Sequence, residues 1–248
     1  AKILKELYPD VPLVLGGIEA SLRRVAHYDY WQDRLRPGIL TDSPADLLIY
    51  GMGEKPITEL VRLLKKGVPF HTIKNIPQTV YITENFTNSP EDIILFSYEE
   101  CLKDKRKQSD NFRIIEEESN KYKSSRIVQK TNNKTIVANP PYSLITTEEL
   151  DSWYDLPYTR LPHPKYRNKV IPAFEMIKFS VNIHRGCFGG CAFCTISAHQ
   201  GKQIISRSNE SILKEIEKIS QLSDFKGYIS DLVGPSANMY QRKGKDNS

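Results

Sequence analysis

Three cysteines fall within one short stretch, His184-Arg185-Gly186-Cys187-Phe188-Gly189-Gly190-Cys191-Ala192-Phe193-Cys194, with the spacing C-x-x-x-C-x-x-C. Thiolates this close can wrap one metal centre. Gly186, Gly189 and Gly190 let the backbone fold tightly around it and offer amide N–H groups to sulfur. Three ligands on a [4Fe–4S] cluster leave one iron open for a small molecule, whereas ordinary electron-transfer clusters use four Cys. The same residues admit a second chemistry: with His199 as fourth ligand they satisfy a structural zinc site of three Cys and one His. Three unrelated buried thiols are the bland alternative, and the glycine density argues against it. Cys101 stands apart and reads as a small apolar residue.

The elements on either side of this loop set where it sits. The alternation Ile177-Phe179-Val181-Ile183 predicts a strand within 174–183. The Gly/Cys loop follows over 184–201. From Ser208 or Asn209, Ile212, Ile216 and Ile219 face one way on a helix, and Tyr228-Ile229-Ser230-Asp231-Leu232 reads as a second strand ending at Gly234-Pro235. That is one βαβ unit with the cysteines at the top of its first strand. Ahead of it, Pro157, Pro162, Pro164 and Pro172 mark an extended linker, and Thr146 with Glu149 fits a capping box.

The first part of the chain has a different grammar. Ile3, Leu4 and Leu7 form a helical stripe, Val11 to Leu15 is a buried-strand run, and Gly16-Gly17 leads into a helical pattern over 18–25. Leu47-Leu48-Ile49-Tyr50 repeats the strand, Gly51-Met52-Gly53 the turn, and Ile57, Leu60, Val61 and Leu64 the helix. This order predicts a parallel α/β layer, in which ligands bind at the carboxyl ends of strands, where both glycine turns sit. The turns are equally explained by backbone geometry alone. Further on, Thr79–Thr83 reads as a strand, 99–126 as a solvated helix, and Ile127-Val128 with Ile136-Val137 as a hairpin.

Composition bounds the classes. The chain has 248 residues, room for one large domain or two small ones, and its apolar share of 39% is thin for a globular core. No run approaches the ~18 apolar residues of a membrane span, so no membrane association is expected. A formal charge of +5 permits nucleic-acid contact without arguing for it. Four Cys make no disulfide scaffold, and with no signal-peptide pattern the clustered thiols point to the reducing cytoplasm. Ala1 opens inside a helical pattern and the chain closes on the polar run 242–248, so a fragment is expected.

The cysteine spacing at a strand end, with the aromatic Phe193 just before the third Cys, resembles the radical S-adenosylmethionine (radical SAM) superfamily. The segments PLVLGGIEASLRRVAHYDYW, LPYTRLPHPKY, IPAFEMIKFSVNIHRGCFGGCAFC and ISDLVGPSANMY are similar to the YgiQ-type radical SAM family, over about residues 9–68 and 139–240. The resemblance implies an α/β fold: an N-terminal parallel layer similar to a cobalamin-binding domain (residues 1–95), a variable charged segment, hairpin and linker (96–173), then the first βαβ part of a partial (β/α)6 barrel (174–248). It implies Cys187, Cys191 and Cys194 as ligands of a [4Fe–4S] cluster, Phe193 near the adenine of S-adenosylmethionine, and Gly234 and Pro235 near its methionine amino group. In the commoner pattern a glycine stands where this chain has Val233. Cobalamin itself is not carried over, because the loop for a lower-ligand His would lie upstream of Ala1 and His27 is not in such a loop.

The leading reading is therefore part of a radical SAM enzyme that cleaves S-adenosylmethionine reductively and acts on a substrate the sequence does not select. A low-potential donor such as flavodoxin or ferredoxin is its implied partner. Arg207, after the Cys loop, is a candidate to pair with the cofactor carboxylate or else a surface Arg at a helix start. Two other readings stand beside it: a zinc-stabilised nucleic-acid-binding module built on the cysteines and His199, and an inactive truncated remnant.

Overall fold

The Leu47-Leu48-Ile49 run is apolar throughout because both faces of its strand are covered. The computed structural model describes residues 1–166, 169–235 and 237–243; most of the polar run at 242–248 lies outside them. The chain divides into two compact units, residues 1–143 and the residues from Leu144 on.

In the first unit, α1 (Lys2–Leu7), β1 (Val14–Leu15), α2 (Ile18–Leu22), β2 (His27–Asp29), β3 (Arg34–Arg36), α3 (Ile39–Asp42), β4 (Leu47–Ile49) and α4 (Glu54–Lys65) follow in order. They are joined by β5 (Thr79–Thr83), β6 (Ile93–Ile94), α5 (Tyr98–Lys103), α6 (Lys105–Ser119), β7 (Ile127–Thr131) and β8 (Lys134–Ala138). Among the described residues the sheet has six strands in the order β1-β4-β5-β8-β7-β6, while β2 and β3 form a separate hairpin. Successive side chains on a strand point to opposite faces. Leu48, Val80 and Ile136 accordingly pack on one side with Ala20, Leu40 and Leu95, and Leu47, Tyr81 and Val137 on the other with Leu60, Ile73 and Ile76.

The expected parallel layer is only partly what forms. β1 pairs with β4 in parallel, as the strand–turn–helix order predicts. β5 then runs antiparallel to β4, with Ile49 opposite Thr79. The reason is the path after α4: residues 66–78 carry the chain back to the end of the sheet where β4 finishes, so β5 enters from there. The sheet also continues past residue 95, because β6 to β8 complete it. The class is mixed α/β. Cys101 packs in this unit beneath α6, with Asn111 Nδ2 donating to its Sγ at 3.2 Å, and burial pushes its thiol pKa up.

The second unit begins with α7 (Thr147–Tyr154), whose N-terminus carries the expected capping box: Glu149 N–H donates to Thr146 Oγ1 while Thr146 N–H donates to Glu149 Oε2. It continues through α8 (Pro172–Ile177), β9 (Ser180–Asn182), β10 (His184–Arg185), α9 (Ile196–Gln200), β11 (Ile205–Ser206), α10 (Asn209–Ser220) and β12 (Asp231–Val233). The strand expected over 174–183 is shorter. Pro172 starts a helical turn, where a missing N–H does no harm, so Ile177 ends α8 and is exposed. The alternation holds from Phe179: Phe179, Val181 and Ile183 pack against Ile212 and Ile219 of α10. β9 and β12 pair in parallel, with Asp231, Leu232 and Val233 opposite Ser180, Val181 and Asn182. The expected βαβ unit is present, its second strand beginning at Asp231 rather than Tyr228. No helix among the described residues is long and apolar enough to cross a membrane.

Candidate metal centre

β9 runs straight into the cysteine loop. β10 leads into it and pairs antiparallel with β11, the strand that leaves it, His184 opposite Ser206 and Arg185 opposite Ile205. This short ladder closes the loop at its base. Gly186 N–H donates to Gln200 Oε1 at 3.1 Å, and Cys187 N–H to Gly201 O at 3.0 Å. Gly186 has φ +87°, and a β-carbon there would overlap the carbonyl of Gln203. Only glycine fits both demands.

Beyond the ladder, Cys187 is buried, Cys194 half-buried and Cys191 exposed, and none is in a disulfide. Cys194 N–H donates to Cys191 O at 3.0 Å, which folds the last two thiols into one turn. The sulfurs of Cys187 and Cys191 converge on Gly189: a β-carbon built there would lie 3.4 Å from the first and 3.6 Å from the second. Gly189 thus leaves open the hollow between two thiols. Among the described residues, Cys187, Cys191, Cys194 and His199 included, no three potential ligands stand together around one metal position. His199 lies on α9, its N–H bonded to Thr195 O at 3.1 Å as in an ordinary helical turn.

The other expected residues have definite places. Phe193 is 90% exposed, touching almost nothing. Gly234 is buried at the end of β12, with Pro235 half-buried after it. The glycine has a packing reason: a β-carbon at 234 would overlap the imidazole of His184.

Arg207 is neither a surface residue nor free to bind a ligand. Its side chain is 1% exposed. Nε donates to Ser211 Oγ at 3.2 Å, Nη1 to Asn182 O at 2.9 Å and to Glu215 Oε2, and Nη2 to Ser211 O at 2.9 Å and Oγ at 2.8 Å. A guanidinium has five N–H donors, and all five are taken. Glu215 also accepts from Arg160, whose Nη2 donates to Ser180 O at 3.0 Å. The Tyr154 ring lies 4.1 Å from the Arg207 guanidinium carbon and 5.3 Å from that of Arg185, and its hydroxyl donates to Asn182 Oδ1 at 3.0 Å. Tyr154, Arg160, Arg207 and Glu215 therefore lock the end of β9, from which the cysteine loop springs.

His184 completes the base of the site. It is fully buried, and burial pushes its imidazolium pKa down. Its Nε2 accepts the N–H of Met239 at 3.0 Å. The sequence pattern marks neither His184 nor Glu215: each acts through a partner distant along the chain.

The radical SAM N-terminal family matches residues 1–180, and the chain belongs to that family. It is 64% identical to a UPF0313 protein of Bacteroides thetaiotaomicron over 99% of this chain and 42% of that protein. A UPF0313 protein of Porphyromonas gingivalis is 60% identical over 99% of this chain and 39% of its own length, and one of Methanocella arvoryzae 48% identical over 96% and 39%. The chain thus spans about two-fifths of the length of these relatives. No solved structure matches it. The family match stops before the cysteine loop, whereas the relatives match across nearly the whole chain.

Proposed function

We propose that this chain is part of a radical SAM enzyme in which Cys187, Cys191 and Cys194 hold three irons of a [4Fe–4S] cluster. The observation that carries the reading is the C-x-x-x-C-x-x-C loop rooted at the end of β9, beside the parallel strand β12, in a chain of the radical SAM N-terminal family. The residues suit such a group. The donor set is three soft thiols, which select iron–sulfur clusters or zinc over hard cations, and glycine keeps the space between two of them open. Cys187, Cys191 and Cys194 would hold the cluster, which would supply the electron, received from an external donor, for reductive cleavage of the sulfonium C–S bond of S-adenosylmethionine.

The chain's own residues orient and enclose. Exposed Phe193 offers a face for the adenine, and the backbone carbonyls around Gly234 and Pro235 accept from the methionine ammonium at the end of β12. β9, α10 and β12 are read as the start of a partial (β/α)6 barrel. The β1–β4 pair, with its glycine turns, is read as part of a layer similar to a cobalamin-binding domain. We place the protein in the cytoplasm, served by a low-potential donor such as flavodoxin or ferredoxin, with its substrate open and nucleic acid among the candidates.

Anaerobic reconstitution with iron and sulfide tests the reading. About four irons per chain and a brown chromophore absorbing near ~400 nm are expected from three-Cys ligation, and both should be lost in Cys191→Ala. One tightly held zinc with no uptake of iron would overturn it in favour of a zinc module.

A further inference from the structure

The thioether of Met239 reaches the hollow between the cysteines. A β-carbon on Gly189 would lie 3.9 Å from Met239 Cε, beside the two sulfurs it would also touch. Met239 comes from the segment after β12, far along the chain from the loop. What brings it there is the hydrogen bond from its backbone N–H to His184 Nε2 at 3.0 Å. His184 is itself immobile: it is fully buried, paired through β10 to Ser206, and seated against the α-carbon of Gly234.

The three contacts make a relay. β10 fixes the imidazole, the imidazole fixes residue 239, and the Met239 side chain closes one side of the space above Gly189. A thioether suits that place. It is flexible and polarizable, fills an irregular gap, and brings no hydrogen-bond donor or charge.

We propose that Met239 forms a wall of the cluster pocket and that His184 is the residue that positions it; this rests on the assignment of the cysteines to a [4Fe–4S] cluster. Met239 then controls how far solvent reaches the cluster. Solvent exposure is one of the factors that set a cluster's reduction potential, and hydration favours the more negatively charged reduced state. Opening the wall should therefore make the potential less negative.

The test begins on metal-free, reduced protein. Alkylation of each cysteine by iodoacetamide is followed under anaerobic conditions by mass spectrometry. Met239→Ala and His184→Leu should raise the rate at Cys187 several-fold. Met239→Leu refills the space, and His184→Gln retains an acceptor near the Nε2 position; both should leave the rate close to that of the parent protein. Buried Cys101 in the first unit, and far-UV circular dichroism, report unfolding. An unchanged Cys187 rate in Met239→Ala overturns the proposal, and so does a rise that Met239→Leu shares or that comes with loss of ellipticity. The second readout is the midpoint potential of the reconstituted cluster without S-adenosylmethionine, expected less negative in Met239→Ala; an unshifted potential also overturns it. If the parent protein binds no iron while the alkylation pattern is as expected, the cluster assignment falls and the placement of Met239 by His184 stands.

Discussion

The imidazole of His184 fills the space that a β-carbon on residue 234 would need. The end of β12 and the base of the cysteine loop are therefore fitted to one another at a single point, and the fit depends on glycine. Gly234→Ala must push the ring or the strand aside. Overpacking of this kind costs about 1–3 kcal/mol. The expected result is a lower urea midpoint for the second unit and poorer iron retention after reconstitution; an unaltered midpoint would show that the ring moves freely.

Glu215 sits between two guanidiniums, those of Arg160 and Arg207. Its side chain is 13% exposed and that of Arg207 1%. Removing one member of such a buried group leaves an uncompensated charge, at about 3–5 kcal/mol. Glu215→Gln should fall in that range by urea denaturation. Arg113→Ala, which breaks pairs with Asp110 and Glu117 on the exposed face of α6, should change stability by less than about 1 kcal/mol.

Phe193 buries almost none of its ring, so Phe193→Ala should leave the stability of the metal-free protein unchanged. Its proposed work is done on the adenine of S-adenosylmethionine, where an aromatic contact contributes about 0.5–1.5 kcal/mol beyond burial. Calorimetric titration of the reconstituted protein should show S-adenosylmethionine binding weakened by about that amount, with iron content retained. Parallel loss of iron would make Phe193 a packing residue of the loop instead.

Burial holds the folded-state pKa of His184 below its ordinary value. Above about pH 6.5, the unperturbed value, the imidazole is neutral in both folded and unfolded chains and stability is complete. As pH falls below that value the unfolded chain takes up the proton first, so stability declines toward the lower folded pKa. Protonation of Nε2 also removes the acceptor for Met239 N–H. His27, half-buried in β2, is lowered in the same direction by burial. The acid loss due to His184 is accordingly the part that disappears in His184→Gln, read as the difference between the two urea titrations from pH 7.5 to 5.

Local patterns were legible and long-range pairings were not. Thr79–Thr83 and the β7–β8 hairpin are visible because alternation and a turn at Asn132 (φ +52°) are properties of neighbouring residues. That the hairpin would join the sheet of β1 and β4 is decided by pairing of Val80 with Ala138, which no window of sequence contains. The alternation of Ile177 with Phe179, Val181 and Ile183 predicts strand from residue 174, whereas Pro172 at the first helical position, assigned to the linker, carries the contrary signal. At the candidate site the cysteines are obvious from spacing, while His184 and Met239 meet across 55 positions. Arg207 looks from sequence like any arginine at a helix start, and its burial follows only from Glu215 being one helical face away and Asn182 O lying at the end of β9.

The two-residue ladder between β10 and β11 has a consequence for metal loading. A flexible segment that has to bring distant ligands together at the moment of coordination loses closure entropy then, by an amount that grows with the logarithm of its length. Here Arg185 and Ile205 are already paired, and Cys187 N–H is already tied to Gly201 O. The ends of the loop meet when the unit folds, so gathering the three sulfurs around the proposed cluster would rearrange residues 186–204 alone and leave β9, α10 and β12 as they are. If the proposed cluster binds, metal-free and metal-loaded forms should consequently share one βαβ core and differ only in how fast the amides of that loop exchange with solvent.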